Sequence, residues 1–110
     1  MLNFLEIMSI FIALDILTGW IGAIATKSFS SSKMREGLYH KFAFYGAFAL
    51  SVAMEFASGQ LDLGVSIPAT AAVTAYVVLT EVVSILENLC TINPELKNKK
   101  FLEMFGKSSD

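Results

Sequence analysis

Residues Ile67–Leu89 read IPATAAVTAYVVLTEVVSILENL, an apolar run of about twenty residues that opens on Pro68. At 1.5 Å per residue such a run crosses a bilayer core of roughly 30 Å, so it predicts a membrane-spanning helix. Its polar interruptions line up. Thr70, Thr74, Glu81, Ser84 and Asn88, with Val77 between, recur at steps of four and three and therefore share one helical face. A carboxylate deep in a span costs on the order of 2.5–3.5 kcal/mol on insertion scales, so Glu81 should look toward other helices or water rather than lipid.

The rest of the chain fits that class. Its 110 residues are enough for one domain, and 55% are apolar against 16% charged, which is outside the usual balance of a small soluble domain. A net charge of −2 matters less than where the charges sit, and nucleic acid is not an expected partner. Cys90 is the single cysteine, which excludes an intrachain disulfide and a cysteine-based metal site and suits a small apolar filler. His40 is alone beside Lys41 and reads as an ordinary interfacial residue. No metal, cofactor or catalytic residue is expected.

Phe4–Ala25 is another apolar run, about 33 Å if helical, broken by one charge at Asp15. Asp15, Thr18, Gly19 and Gly22 fall three and four apart, and Gly19 with Ala23 forms a small-xxx-small pair. That stripe suits either close helix packing or a water-lining face. A cleaved signal peptide ending near Ala23-Ile24-Ala25 is not expected, because the segment lacks a basic leader and carries Glu6 and Asp15. Thr26–Lys41, TKSFSSSKMREGLYHK, reads as a short basic loop broken by its serines and Gly37. Phe42–Phe56 is the next apolar run but reaches only about 23 Å, so it must extend back past His40 and Lys41, which would snorkel to the surface, or forward toward Leu61. A re-entrant hairpin is the other way to place it. Ala43, Ala47, Ser51 and Glu55 make its small and polar stripe.

The spans are thus expected at about 4–25, 40–58 and 67–89, with a polar turn around Gly59, Asp62 and Gly64 between the last two. After them, Asn93 and Pro94 have the pattern of a helix start, and the basic, amphipathic segment 94–106 is expected to lie on the membrane surface as a short helix. The predicted fold is an all-α membrane protein of three transmembrane helices and a C-terminal amphipathic helix, forming one domain over 1–110.

Orientation follows from the basic residues. Lys27, Lys33, Arg35 and Lys41 form one cluster and Lys97, Lys99, Lys100 and Lys107 the other, and neither the segment before the first span nor the turn between the last two holds any. Basic loops stay cytoplasmic, so three crossings put the N-terminus outside and the C-terminus inside.

Three helices with one slim, polar face each are built to self-associate or to border water, and one copy is too small to enclose a wide hole. Homo-oligomers in the bilayer are therefore expected, with Asp15, Thr18, Gly19, Gly22, Ser51, Glu55, Thr74, Glu81, Ser84 and Asn88 as the oligomer interface or pore lining. With no nucleotide fingerprint and no nucleophile paired with a base, an enzyme is not expected.

The run Asp15-Ile16-Leu17-Thr18-Gly19, then Lys27, Ser31-Ser32, Gly37 and Lys41, resembles the opening of the small phage-lysis and toxin-secretion holins, the family that includes the clostridial toxin-release holin. Glu81-Val82-Val83-Ser84-Ile85-Leu86-Glu87-Asn88, followed by Pro94 and a basic tail, is similar to that family's second half. The resemblance implies a protein of the bacterial cytoplasmic membrane that assembles at a set time into lesions, through which an endolysin or a secreted toxin passes. Asp15 and Glu81 would then be expected to carry a proton while the helices are packed and to lose it when rearrangement admits water. The membrane field, worth about 2.3 kcal/mol per charge per 100 mV, would act on them. A small proton-coupled multidrug-type transporter and a regulatory antiholin are the alternative readings.

Overall fold

The computed structural model describes residues 3–62 and 68–106. Gly64 of the expected turn, the Ile67 start of the expected third span, Lys107 and the side chain of Lys99 lie outside the described residues. Among the described residues the chain forms four α-helices in the order α1 (Phe4–Ala25), α2 (Ser31–Gln60), α3 (Ala69–Ile92) and α4 (Lys99–Glu103), with a 3-10 turn at Pro94–Leu96. The first three are long and apolar enough to cross a membrane.

Local chemistry sets the helix ends. Asn3 caps α1, its side-chain oxygen accepting from the Glu6 N–H at 2.8 Å. At the other end, the Ser28 N–H donates to the Ala23 carbonyl at 2.8 Å and the Lys27 N–H to that of Ile24 at 3.2 Å. This is the two-bond Schellman closure, and it puts Lys27 in the left-handed region at φ 55°.

α2 departs from the expected span and loop. Residues 31–41 are helical rather than part of a loop, so one helix of 30 residues replaces the span predicted at 40–58. The physical reason is that the serines fall at the cap, where Ser30 accepts from the Lys33 N–H at 3.3 Å, and Lys33, Met34, Arg35, Glu36 and Leu38 beyond them are good helix formers. Gly37 weakens this stretch without ending it. Helix α2 also runs on through Gly59 to Gln60, past the expected start of the polar turn.

The tail departs as well. Asn93 does cap, its side chain accepting from the Glu95 N–H at 3.2 Å, but only a single 3-10 turn follows. Asn98 then interrupts the expected helix over 94–106 by recapping, accepting from the N–H groups of Lys100 and Phe101 at 2.8 and 3.3 Å, and α4 lasts five residues.

Helices α1 and α3 run parallel and in close contact, from Met8 and Val77 at one level to Gly22 and Thr91 at another. Helix α2 runs antiparallel to both, with Phe44 edge-on to Tyr76 at 6.5 Å and Tyr45 bonded to Ser9 at 2.7 Å. The parallel pairing brings the α1–α2 connection and the tail after α3 to the same end. A Cβ on Gly22 would lie 3.6 Å from the Thr91 methyl and 3.8 Å from the Asn88 carbonyl, in ordinary contact with both, so α1 and α3 are closely packed along this seam. Met8, Ile12 and Val77 are buried, with Ile16, Phe44, Phe48 and Val73 packed around them. Large apolar side chains such as Leu17, Phe42, Leu50 and Leu79 point outward, the disposition of helices that face hydrocarbon.

Candidate functional site: a charge cluster at the middle of the helices

Asp15 and Glu81 stand about 15 to 18 Å from either end of α1 and α3, at the midpoint of each helix. Parallel packing places them at one level. Between them lies the ammonium of Lys41, 2.6 Å from Asp15 Oδ2 and 3.0 Å from Glu81 Oε2, with Glu81 Oε1 at 3.3 Å. The side chains of Lys41, Asp15 and Glu81 are only 12, 13 and 2% exposed. The amide of Asn88 completes the cluster, donating to Asp15 Oδ1 at 2.8 Å and to Thr18 Oγ1 at 3.0 Å, while the Thr18 hydroxyl donates to the Leu14 carbonyl at 2.8 Å. Among the described residues, no buried side-chain nitrogen or oxygen lacks a hydrogen-bond partner.

Lys41 thus has a place that its sequence position did not suggest. It was expected at the surface as one of the topology-setting charges, yet its head group is drawn into the helix contact. The cause is electrostatic: a lone carboxylate in a low-dielectric interior is costly, and a cation within hydrogen-bond reach of two of them offsets that cost. In the packed helices one ammonium serves both acids. The signal that could have found it is the run Lys41, Phe44, Phe48, Ser51, Glu55, spaced three and four apart, which is the inward face of α2. The stripe chosen from small residues does not hold together, since Ala43 and Ala47 are exposed.

Of the other expected interface residues, Gly19, Gly22, Ser84 and Asn88 gather with Asp15 and Thr18 on the side of the cluster toward the α1–α2 connection. The remaining three lie toward the other end. Ser51 and Thr74 turn their hydroxyls onto their own helices, donating to the Phe48 and Thr70 carbonyls at 2.6 and 2.7 Å. Glu55 accepts from the Thr70 hydroxyl, tying the end of α2 to the start of α3. Most polar groups on the facing sides of the three helices are therefore engaged within one chain. Above the cluster, a cavity of about 390 Å³ runs from Asp15 and Lys41 past Gly37 to Thr26, Ser28 and Lys33.

Comparison with curated proteins and with solved structures returns no match. The bacteriophage holin family, however, matches residues 1–106, which takes in the three long helices, the charge cluster and the tail. This chain therefore belongs to the bacteriophage holin family, whose members are membrane proteins of lysis.

Proposed function

We propose that this protein accumulates in the bacterial cytoplasmic membrane with its N-terminus outside and its C-terminus inside, and that copies of it assemble into lesions that let a cell-wall hydrolase or a toxin out. The observation that carries the reading is the charge cluster at mid-helix in a holin-family chain. A resting subunit keeps its charges paired and its apolar sides toward lipid. Lesion formation requires α1, α2 and α3 to part, so that Asp15, Thr18, Gly19, Gly22, Ser51, Glu55, Thr74, Glu81, Ser84 and Asn88 exchange their contacts within the chain for water or a neighbouring copy.

The orientation rests on Lys27, Lys33, Arg35, Lys97, Lys99, Lys100 and Lys107, which favour the cytoplasmic side. Lys41, engaged with two carboxylates, contributes less to that preference than its place in the sequence suggests.

The decisive experiment is expression in a bacterial host with a cytoplasmic hydrolase that has no export route of its own. Abrupt lysis and release of a large cytoplasmic reporter enzyme are the expected result. Retention of hydrolase and reporter by a membrane-inserted protein would overturn the proposal and point to a transporter or to a restraint on another holin.

A further inference from the structure

We infer that the cavity between the three helices is a water-filled vestibule that opens at the α1–α2 connection, ends at the Asp15–Lys41–Glu81 cluster, and is closed beyond it by an apolar layer. Three observations converge on this. Ser84, Asn88, Thr91, Thr26 and Lys33 place charged or polar groups along the cavity from its floor at Asp15 and Lys41, between apolar stretches of wall such as Trp20. Groups of that kind give a water the two to four partners it needs, and ionisable residues inside membrane helices generally face such water. Gly37 lines the space one helical turn from Lys41, and a Cβ built on it meets no atom within 4 Å, so the cavity is open at that depth. On the other side of the cluster, Met8 and Val77 are fully buried and Ile12 nearly so, with Phe44, Phe48 and Val73 packed against them.

The consequence for the lesion mechanism is a focused field. Water on one side carries the potential of that side down to the cluster, and the membrane voltage then falls across the apolar layer alone. A charge of the cluster that crosses this layer feels nearly the whole potential rather than half of it. The inference rests on the membrane-spanning reading above, and on the side assigned there the vestibule faces the cytoplasm.

The test is thiol accessibility in sealed membrane vesicles of both orientations, using small impermeant methanethiosulfonate reagents of either charge. Cys90 is first replaced, as Cys90→Ser or, if that variant accumulates poorly, Cys90→Ala. Gly37→Cys then probes the vestibule, Ser28→Cys its mouth, and Leu79→Cys, 66% exposed and two residues from Glu81, the lipid face near the level of the cluster. A thiol in water ionises and reacts whereas one in hydrocarbon stays protonated, so Gly37→Cys should react about tenfold or more faster than Leu79→Cys, from the face at which Ser28→Cys reacts. If Gly37→Cys is as slow as Leu79→Cys, lipid fills the cavity and the vestibule is refuted. If Leu79→Cys reacts as fast as Ser28→Cys, the spanning assignment fails and takes the vestibule with it. Hydrolase release by the same variants is scored separately, so a lysis-competent Gly37→Cys protein that resists labelling overturns the vestibule and leaves the proposed function standing.

Discussion

Lys41 is the residue on which the largest energies meet. It faces two carboxylates at 2.6 and 3.0 Å, so Lys41→Met leaves two acids in a low-dielectric contact with no cation between them. Breaking a buried ionic contact from one side costs roughly 3–5 kcal/mol. The expected outcome is a resting subunit that opens more readily and lyses earlier than the parent at equal membrane levels, measured by turbidity against an immunoblot. Because such a variant can be degraded before it acts, the triple change Lys41→Met, Asp15→Asn, Glu81→Gln provides the control, since it removes the uncompensated charges and should restore accumulation. Unchanged lysis timing in the Lys41→Met protein at parental levels would show that the cluster does not restrain opening. Asp15 and Glu81 were identifiable from sequence because a charge inside an apolar run stands out against its neighbours. Lys41 was not, because it sits at the border between a basic segment and an apolar one, where a lysine ordinarily reaches for water.

At the scale of the element, α2 is the helix whose boundaries were least evident. Hydropathy marks only its apolar part, since the first eleven residues are polar enough to pass for a loop and yet are made of good helix formers behind a serine cap. The cavity depends on this continuation, because Gly37 and Lys41 both lie in the added turns or at their edge. Gly37→Ala is expected to stabilise the helix by about 0.5–1 kcal/mol, as glycine is the poorer helix former and the new methyl meets nothing. Thermal unfolding in detergent, followed by circular dichroism, checks this. A fall in stability would contradict the open space beside Gly37. The first and third helices were easier to place, since apolar residues dominate each of them along its length and Pro68 marks where the third begins.

On the scale of the whole molecule, one chain shelters its own polar faces. Residues expected at an interface between copies are already engaged in the resting form: Asp15, Glu81, Asn88 and Thr18 are bonded across the helices of a single subunit. Assembly into a lesion then has to compete with these contacts, which gives the resting form a barrier. A covalent lock tests that competition. With Cys90 replaced, Gly22→Cys and Thr91→Cys face each other across the α1–α3 seam, where a Gly22 Cβ would lie 3.6 Å from the Thr91 methyl. Oxidation should link them and delay or abolish lysis, and a permeant reductant should restore it within minutes. Lysis by a fully cross-linked protein would show that α1 and α3 stay together in the lesion and that α2 alone moves.

From the sequence alone came the all-α class, the three long apolar helices, the polar stripe of α3 and the family resemblance, because each rests on local pattern: an apolar run of bilayer length, a period near 3.6, a short motif. Only the tertiary structure decided which stripe of α2 faces inward, that Lys41 joins Asp15 and Glu81, and that a cavity leads to them. Those are relations between residues 26 and 40 positions apart. They depend on the parallel packing of α1 against α3 and on where α2 crosses them, and the cost of leaving a charge unpaired in an apolar interior selects the partner that packing brings within reach.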